Sequence, residues 1–364
     1  MSEPGNSPSA RYRAGVQTGQ WQCDVAQEAV LPLLDRVAGA VAAAPERGPL
    51  ARWFGAEPRA PQGLYLWGGV GRGKTFLMDL LCAALPPELV LRRHFHRFMG
   101  EVHGELARLS GVRAPLAEIA GNLASGPRLL ALDEFVVSDI GDAMILGELL
   151  KQLFAHGVGL VTTSNSAPRD LYRDGLQRAR FLPAIAMIER HCAVHELTGK
   201  QDYRLRALTR SPVYLVPADA AADAALTAMF TEVASGEIEQ EGVEQVNGRE
   251  ISFRLRGGGE IWFAFAALCE GPRAVADYIE IARDFHTVMV SQVPRFDGSN
   301  DDPARRFVHL VDEFYDRNVN LVLSAMVEPL ALYGGERLRR EFERTASRLI
   351  EMQSIAYLAR EHRP

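Results

Sequence analysis

A glycine-rich loop between two apolar runs is the feature that most constrains this chain. The loop consists of Gly68, Gly69, Val70, Gly71, Arg72, Gly73, Lys74 and Thr75, and it matches the pattern GxxxxGK[ST] in full. Residues 63–67 form a short apolar run before the loop, and the apolar run FLMDLLCAAL follows it. Strand, glycine-rich loop and helix in this order are typical of a phosphate-binding loop.

The loop predicts that the chain binds ATP together with Mg²⁺. Glycines let backbone N–H groups point at the phosphates, where a Cβ would stand in the way. The helix after the loop presents its positive end to the anion. We expect Lys74 to reach the β- and γ-phosphates and the Thr75 hydroxyl to ligate Mg²⁺.

A second element, Leu129-Leu130-Ala131-Leu132-Asp133-Glu134, follows the loop by some 60 residues. Four apolar residues predict a buried strand whose end delivers two adjacent carboxylates. Asp133 is expected to hold Mg²⁺, mostly through water. Glu134 is expected to act as the general base that polarises the attacking water. An Asp-Glu pair at the end of a surface strand would indicate no particular function. Here it indicates a hydrolytic site because it follows a complete phosphate loop in the chain.

A third element is the apolar strand at 159–163, which ends in Ser164-Asn165. A polar side chain at this strand end can lie between the γ-phosphate and the attacking water, so Asn165 is the candidate sensor. The alternative is an asparagine that caps a turn before Pro168.

A fourth element, Leu176-Gln177-Arg178-Ala179-Arg180, carries two arginines beyond the sensor strand. An arginine in this place can reach the γ-phosphate of a neighbouring subunit and stabilise transition-state charge. This interpretation would require a homo-oligomer. The alternative is a solvated basic helix end, which is the favoured reading for Arg180 and stays open for Arg178.

Apolar strands alternate with helical segments through the first half of the chain, with strands expected at 63–67, 90–95, 129–132 and 158–163. This alternation predicts an α/β fold, a P-loop NTPase (AAA+-like) parallel sheet with helices on both faces. The expected division is a disordered N-terminus at 1–14, an N-terminal helical segment at 15–60, the P-loop ATPase core at 61–209, a C-terminal α/β region at 210–335 and a C-terminal helix at 336–364.

Two β-hairpins are predicted outside these strands. One pairs residues 192–197 with 203–205 around a Thr-Gly-Lys turn. The other lies within 232–256 and turns at Asn247-Gly248. Further strands are expected near 261–265, 287–291 and 321–324.

A weak internal repeat is visible when the chain is shifted by 161 positions (289 − 128 = 161). Residues 128–172 then lie on 289–333 without a gap, and ten positions are identical. In this alignment Asp133 falls on Pro294, Glu134 on Arg295 and Asn165 on Met326. Either the C-terminal region is a degenerate copy without hydrolytic residues, or two unrelated α/β segments share a common pattern.

Composition narrows the function classes. The net charge of −6 gives no basic footprint, so nucleic acid is not expected as a partner. The four cysteines are scattered without a CxxC pair, which argues against a zinc site. No signal peptide and no run of about 18 apolar residues is read, so we expect a cytoplasmic protein. A histidine cluster at His94, His96 and His103 lacks a completing ligand, and we interpret it as packing beside the nucleotide site.

Four segments resemble the ZapE-type AAA+ ATPases, which comprise bacterial cell-division ATPases and mitochondrial relatives. The segments are HFHRFMGEVH, RLLALDEFVVSDIGDAMIL, LVTTSNSAPRDLYRDGLQRARFLPAI and FERTASRLIEMQS. The resemblance runs from about Tyr12 to Tyr357. Two positions depart from it, because Gly141 and Gly147 stand where relatives tend to have larger residues.

The resemblance implies roles for three more residues. The LQR segment favours Arg178 over Arg180 as the arginine finger. The Asp-x-x-Gln element implies that Gln27 hydrogen-bonds the adenine edge, and the SRLxEM segment implies that Arg348 is a second sensor.

The resemblance also implies a division factor that binds the division protein FtsZ and remodels its polymers, with peripheral association at the inner membrane. The alternative is a nucleic-acid-linked ATPase such as a helicase loader, against which the acidic charge argues mildly. A third reading is a nucleotide-gated adaptor, against which the intact Asp133-Glu134 pair argues.

Overall fold

The computed structural model describes residues 6–43, 59–69, 71–137, 139–173, 175–198, 203–234, 238–299 and 301–363. The chain divides into two compact units, Met1–Lys200 and Gln201–Pro364. This division falls ahead of the boundary that the sequence suggested after residue 209.

The first unit is built on a five-stranded sheet in which every strand pair is parallel. Its strands are β1 Gly63–Trp67, β2 Val90–His94, β3 Leu129–Asp133, β4 Gly159–Ser164 and β5 Cys192–Glu196. The order across the sheet is β2-β3-β4-β1-β5. β1 therefore lies in the interior of the sheet, beside β4, and carries the phosphate loop at its carboxyl end.

Helices cover both faces of this sheet. They are α1 Pro8–Gln17, α2 Val25–Glu28, α3 Leu31–Ala43, α4 Lys74–Ala83, α5 Phe95–Arg108, α6 Pro115–Leu123, α7 Ile140–Ala155 and α8 Leu182–His191. Along β3, Leu129 and Ala131 pack in the cluster that contains α1, α3 and α4 residues. Leu130 and Leu132 pack with residues of α5 to α8. The continuous apolar run of β3 thus reflects burial on both faces, as in other parallel sheets.

The second unit contains a six-stranded sheet in the order β6-β11-β10-β9-β8-β7. Its strands are β6 Tyr214–Leu215, β7 Glu239–Val246, β8 Arg249–Arg256, β9 Glu260–Ala264, β10 Thr287–Val293 and β11 Asn320–Ala325. The β9, β10, β11 and β6 pairs are parallel, whereas β7 and β8 form an antiparallel hairpin at the sheet edge.

The helices of this unit are α9 Tyr203–Leu208, α10 Ala220–Val233, α11 Phe265–Cys269, α12 Val275–Asp284, α13 Asp301–Asp316, α14 Arg339–Met352 and α15 Ile355–Leu358. Trp262, Met289 and Val322 face the layer of α9 and α10. Their strand neighbours face the opposite layer, which α11 to α14 form. The second unit is therefore also a sheet covered on both faces.

The strand predictions for the second unit are confirmed. Strands occupy 260–264, 287–293 and 320–325. The hairpin turns at Asn247-Gly248, where both residues have positive φ of 48° and 72°, the backbone that a two-residue type I′ turn requires. The predicted burial of Leu321-Val322-Leu323 is also confirmed, with at most 3% exposure.

The predicted hairpin at 192–197 and 203–205 is wrong. β5 pairs in parallel with β1 as the fifth strand of the first sheet, and residues 203–208 are helical. The alternating pattern that suggested a hairpin comes from the position of β5 at the sheet edge. Ala193 and His195 are half-buried there, whereas Val194 and Glu196 are exposed.

Disorder was predicted for residues 1–14, but the described part of this stretch is helical from Pro8 onward. The Ser7 hydroxyl caps the helix by accepting a hydrogen bond from the Ala10 N–H, and proline is favourable in the first turn. Tyr12 is fully buried, and its hydroxyl accepts from the Asp24 N–H at 2.8 Å. The buried Tyr12 side chain and the Ser7 cap therefore stabilise a helix in a stretch whose polar composition had suggested disorder.

Apolar positions at helical spacing within 22–45 predict one helix with a break at Pro32 or a start near it, and α3 does begin at Leu31, after the separate short helix α2. The C-terminal stretch, which was expected to be one helix, is interrupted. The C-terminal helix ends at Met352, and Ser354 caps a separate short helix through its hydroxyl. A capping serine competes with helix continuation because its side chain satisfies the backbone donors of the next turn.

Candidate functional site

The phosphate loop lies between β1 and α4, and two of its glycines are required by close approach. Gly73 stands at the N-cap of α4 with φ of +85°. A Cβ there would lie 2.4 Å from the Gln27 amide nitrogen, and a Cβ at Gly68 would lie 2.6 Å from the Leu197 carbonyl oxygen. Val70 lies outside the described residues. Within the part of the chain that the structure describes, no side chain caps the N-terminus of α4, so its backbone donors face the loop, as an anion site requires.

Lys74 and Asn165 are brought together at this loop. The Lys74 ammonium donates to the carbonyl oxygens of Gly68 and Gly69, each at 2.8 Å, and to the Asn165 Oδ1 at 2.9 Å. Asn165 was selected because it follows β4, and β4 pairs directly with β1. The structure thus brings Asn165 into contact with Lys74, and its role as a sensor stays a prediction.

Gln27 lies against the loop backbone. Its side chain is 5% exposed, and its amide donates to the Arg72 carbonyl oxygen at 3.3 Å. Asp24 caps α2, the short helix that carries Gln27, by accepting from the Ala26 N–H at 2.7 Å. Gln27 therefore braces Arg72 and Gly73, and its contact with an adenine edge stays a prediction.

The Asp133-Glu134 pair stands at the end of β3 with an unusual backbone. Glu134 has φ of +52°, a conformation that costs a non-glycine residue about 1–3 kcal/mol unless its surroundings support it. The Thr163 hydroxyl accepts from the Glu134 N–H at 3.1 Å, and the Thr163 carbonyl accepts from the Phe135 N–H at 2.7 Å. These two bonds from β4 support the left-handed turn by which the backbone leaves β3 after Asp133.

An ion-pair bridge that the sequence analysis missed holds Asp133. The Arg92 guanidinium on β2 contacts the Asp133 Oδ2 at 2.7 Å and the Asp79 Oδ1 at 2.6 Å. Burial alone would lower the pKa of Arg92, but the two carboxylates outweigh it and the pKa is raised. Burial raises the pKa of Asp79, which Arg92 partly offsets. Two features of the sequence could have indicated this bridge. Arg92 is a charged residue within a predicted strand, and Asp79 lies one helical turn after Thr75.

The chemistry of Asp133 fits a divalent cation. Its Oδ1 is buried and meets no hydrogen-bond donor within the described part of the chain, while its Oδ2 is held by Arg92. Mg²⁺ prefers carboxylate and hydroxyl oxygens and waters. Asp133 and Thr75 offer such oxygens, so these residues are suited to hold it.

Arg178 is engaged within its own chain. It begins a helical turn at 178–180, and its guanidinium donates to the Arg169 carbonyl oxygen. Leu176 beside it is 72% exposed, and Arg180 is also exposed. That Arg178 reaches the γ-phosphate bound by a neighbouring subunit stays a prediction.

Arg348 lies on α14 in the second unit. Its guanidinium pairs with Asp312, lies 3.5 Å from the Asp316 carboxylate and stacks 4.7 Å from the Tyr315 ring centre. These contacts give Arg348 a local packing role, and its role as a second sensor stays a prediction.

The histidines near β2 do not assemble a metal site. The His103 ring nitrogen lies 2.7 Å from the Asp142 carboxylate on α7, and His94 stands in register with Asp133. Among the described residues, no group of three or more His, Cys, Asp or Glu side chains could hold a metal ion.

The two glycine departures have different surroundings. A Cβ at Gly147 would lie 3.4 Å from the Ala184 Cβ on α8, and a Cβ at Gly141 would lie 3.0 Å from the Asp139 carboxylate. A Cβ at Gly147 would therefore make an ordinary contact, whereas a Cβ at Gly141 would crowd the N-cap residue of α7 itself.

Comparison with known proteins matches residues 6–361 to the family model described as AFG1-like ATPase. The cell division protein ZapE of Escherichia coli (strain K12) is 48% identical over 301 residues, covering 83% of this chain and 80% of that protein. Lactation elevated protein 1 homolog B of Danio rerio is 34% identical over 347 residues, covering 83% and 69%.

Among solved structures, the crystal structure of the DnaI matches with a TM-score of 0.36 and 17% identity, over 50% of this chain and 87% of that one. A likeness at this score supports no conclusion about function. Within the described residues, no helix is both long enough and apolar enough to cross a membrane.

Proposed function

This chain belongs to the AFG1-like ATPase family and is a nucleotide-binding ATPase. We propose that its hydrolysis of ATP requires Mg²⁺ and drives remodelling of the division protein FtsZ. The observation that carries the catalytic part is the shared contact of Lys74 with the phosphate loop and Asn165, beside a Glu134 turned out of β3. Cation, sensor and base then stand at the carboxyl ends of neighbouring strands.

Each of these residues has a distinct task in the proposed reaction. The loop N–H groups and Lys74 bind the phosphates, and Asn165, which accepts a hydrogen bond from Lys74, is the sensor of the γ-phosphate. Glu134 accepts the proton of the attacking water. Thr75 and Asp133 are the proposed holders of Mg²⁺, which when bound neutralises charge on the phosphates.

The partner proposal rests on the relatives. The Escherichia coli protein that is 48% identical carries the name cell division protein ZapE. We extend a division role to this chain, with FtsZ polymers as the substrate and peripheral association at the inner membrane. Assembly into a homo-oligomer is part of the same proposal, because Arg178 would then serve a neighbouring site.

Sedimentation of FtsZ polymers tests the partner. Wild-type chain with ATP should reduce the pelleted polymer, and Glu134→Gln should not, because it binds ATP without hydrolysing it. Glu189→Gln is a matched control, since Glu189 is an exposed carboxylate on α8 of the same unit. It should act like the wild type.

An active ATPase that leaves the FtsZ pellet unchanged would contradict the partner proposal and leave the ATPase intact. Turnover that DNA stimulates with a steep salt dependence would instead support the helicase-loader alternative.

A further inference from the structure

Element boundaries in the two units recur at a fixed spacing. A shift of 161 positions (301 − 140 = 161) places α7 Ile140–Ala155 on α13 Asp301–Asp316 and β4 on β11, end to end. The same shift places the helical turn Pro168–Asp170 on Pro329–Ala331. Three successive elements whose first and last residues all agree are not expected from two unrelated α/β segments.

Strand order recurs as well. The first sheet contains the order β2-β3-β4-β1, and the second contains β9-β10-β11-β6. In each unit the strand that comes first in the chain pairs with the strand that comes last in this set of four. Each of these four strands thus has a counterpart in the other unit, whereas β5, β7 and β8 have none among the described strands.

Strand register corrects the residue correspondence from the sequence. Leu129 pairs with Gly159 in the first unit, and Thr287 pairs with Asn320 in the second. Since Gly159 corresponds to Asn320, the β3 and β10 strands are related by 158 positions (287 − 129 = 158). The loop before α13 is therefore three residues longer, which the ungapped alignment ignored.

With this register, Asp133 corresponds to Ser291 and Glu134 to Gln292, so the earlier assignments to Pro294 and Arg295 are wrong. Gln292 has φ of +64°, as Glu134 has +52°. The Gln292 N–H donates to the Ser324 hydroxyl at 3.1 Å. Ser324 is the counterpart of Thr163, which accepts from Glu134 at the same distance.

A pair of tyrosines supports the same correspondence. Register places Tyr65 of β1 and Tyr214 of β6 at equivalent positions. The Tyr65 hydroxyl donates to the Ser166 carbonyl oxygen at 2.9 Å, and the Tyr214 hydroxyl donates to the Val327 carbonyl oxygen at 2.9 Å. Ser166 and Val327 are again 161 positions apart.

We infer that residues 214–332 are a degenerate second copy of the phosphate-loop unit, in which the chain's own Asp219 carboxylate occupies the phosphate end of the first helix. The connection from β6 to α10 is four residues, 216–219, without a glycine. Asp219 caps α10 by accepting from the Ala222 N–H at 2.9 Å. The corresponding helix end of α4 has no side-chain cap.

The second copy consequently binds no nucleotide. A carboxylate at a helix N-terminus uses the donors that would meet a phosphate and repels a second anion. Ser291, Gln292 and Met326 replace the carboxylate pair and the sensor of the first copy. The unit keeps the fold of an ATPase core and lacks its chemistry.

Nucleotide binding to the full chain tests this inference. Equilibrium dialysis with a non-hydrolysable ATP analogue and Mg²⁺ should give one site per chain, and Lys74→Ala should weaken that site at least tenfold with no second site left. Hydrogen exchange should show analogue-dependent protection of residues 68–75. Two sites per chain, or protection of residues 216–222 that persists in Lys74→Ala, would overturn the inference.

A matched pair of substitutions tests the correspondence itself. Thr163→Val and Ser324→Ala each remove the hydroxyl that supports a left-handed turn, so both should lower the melting temperature to a similar extent. Only Thr163→Val should slow ATP turnover, by about tenfold or more, with recovery in Thr163→Ser. A Ser324→Ala protein that loses turnover as severely would contradict a second copy without chemistry.

Discussion

At the scale of single residues, the site depends on two adjacent carboxylates that have different backbone conformations and different surroundings. Asp133 stays in the strand and is held by Arg92, whereas Glu134 leaves the strand through a left-handed turn. The same turn at Gln292 indicates that this backbone conformation belongs to the fold and does not depend on a glutamate at this position. In the proposed reaction, this turn would separate the carboxylate that holds Mg²⁺ from the one that accepts the proton of water.

Removal of Arg92 should destabilise the first unit. Arg92→Met leaves the Asp79 and Asp133 carboxylates buried without their shared cation, and such losses typically reduce the free energy of unfolding by about 3 kcal/mol. Urea unfolding measures this change. The double variant Arg92→Met/Asp79→Asn should regain part of the loss, because one uncompensated charge is gone.

The pH dependence follows from the direction of the Asp79 shift. Its pKa in the folded protein is raised, with burial as the largest cause, so its contribution to stability is greatest below the unfolded pKa of about 4. That contribution is lost as the pH rises through the folded pKa. Arg92→Met should therefore lose more stability at pH 7 than near pH 5; an equal loss at both values would contradict the bridge.

At the scale of secondary structure elements, the sequence predicted what local patterns determine. The strand 63–67, the loop and the following helix agree with the structure because the motif spacing fixes them. β5 was misread because an edge strand and a hairpin strand alternate alike, and only the distant pairing with β1 distinguishes them. The bridge was missed because it joins three separate elements: Arg92 contacts Asp133, 41 positions away, and Asp79, 13 positions away (92 − 79 = 13).

Gly147 offers a test of packing between α7 and α8. A Cβ there meets the Ala184 Cβ at ordinary contact distance, so Gly147→Ala should raise the free energy of unfolding by about 0.5 kcal/mol through lower unfolded-state entropy. Gly147→Leu overfills the same space and should lower it by about 1–3 kcal/mol. Equal stability of the two variants in thermal unfolding would show that this contact is loose.

At the scale of the whole molecule, the chain joins one complete phosphate-loop unit to one that has lost its site. The composition and net charge of the sequence could not reveal the loss of the second site, because a sheet covered on both faces needs a similar apolar content with or without a nucleotide site. The ungapped alignment detected the relation but misplaced the key residues, since a three-residue insertion lies between β10 and α13. Strand register, which depends on folding, was needed to locate Ser291 and Gln292.

Assembly is tested by mixing variants. If Arg178 serves a neighbouring subunit, Arg178→Ala and Glu134→Gln proteins should each hydrolyse ATP poorly, and a mixture should recover turnover. A mixed interface combines the intact arginine of one chain with the intact base of the other. Arg180→Ala is the matched control and should keep wild-type turnover. No recovery, together with turnover per chain that is independent of concentration, would place Arg178 in its own subunit only.

The central claim is that one site per chain, with Glu134 as its base, performs the hydrolysis. Single-turnover hydrolysis of ATP by Glu134→Gln, with ATP binding measured on the same sample, tests it most directly. We predict a rate about 10²-fold or more below that of the wild type, the scale of a lost general base, with ATP affinity retained. Hydrolysis at the wild-type rate would contradict the claim and assign the activation of water to another residue.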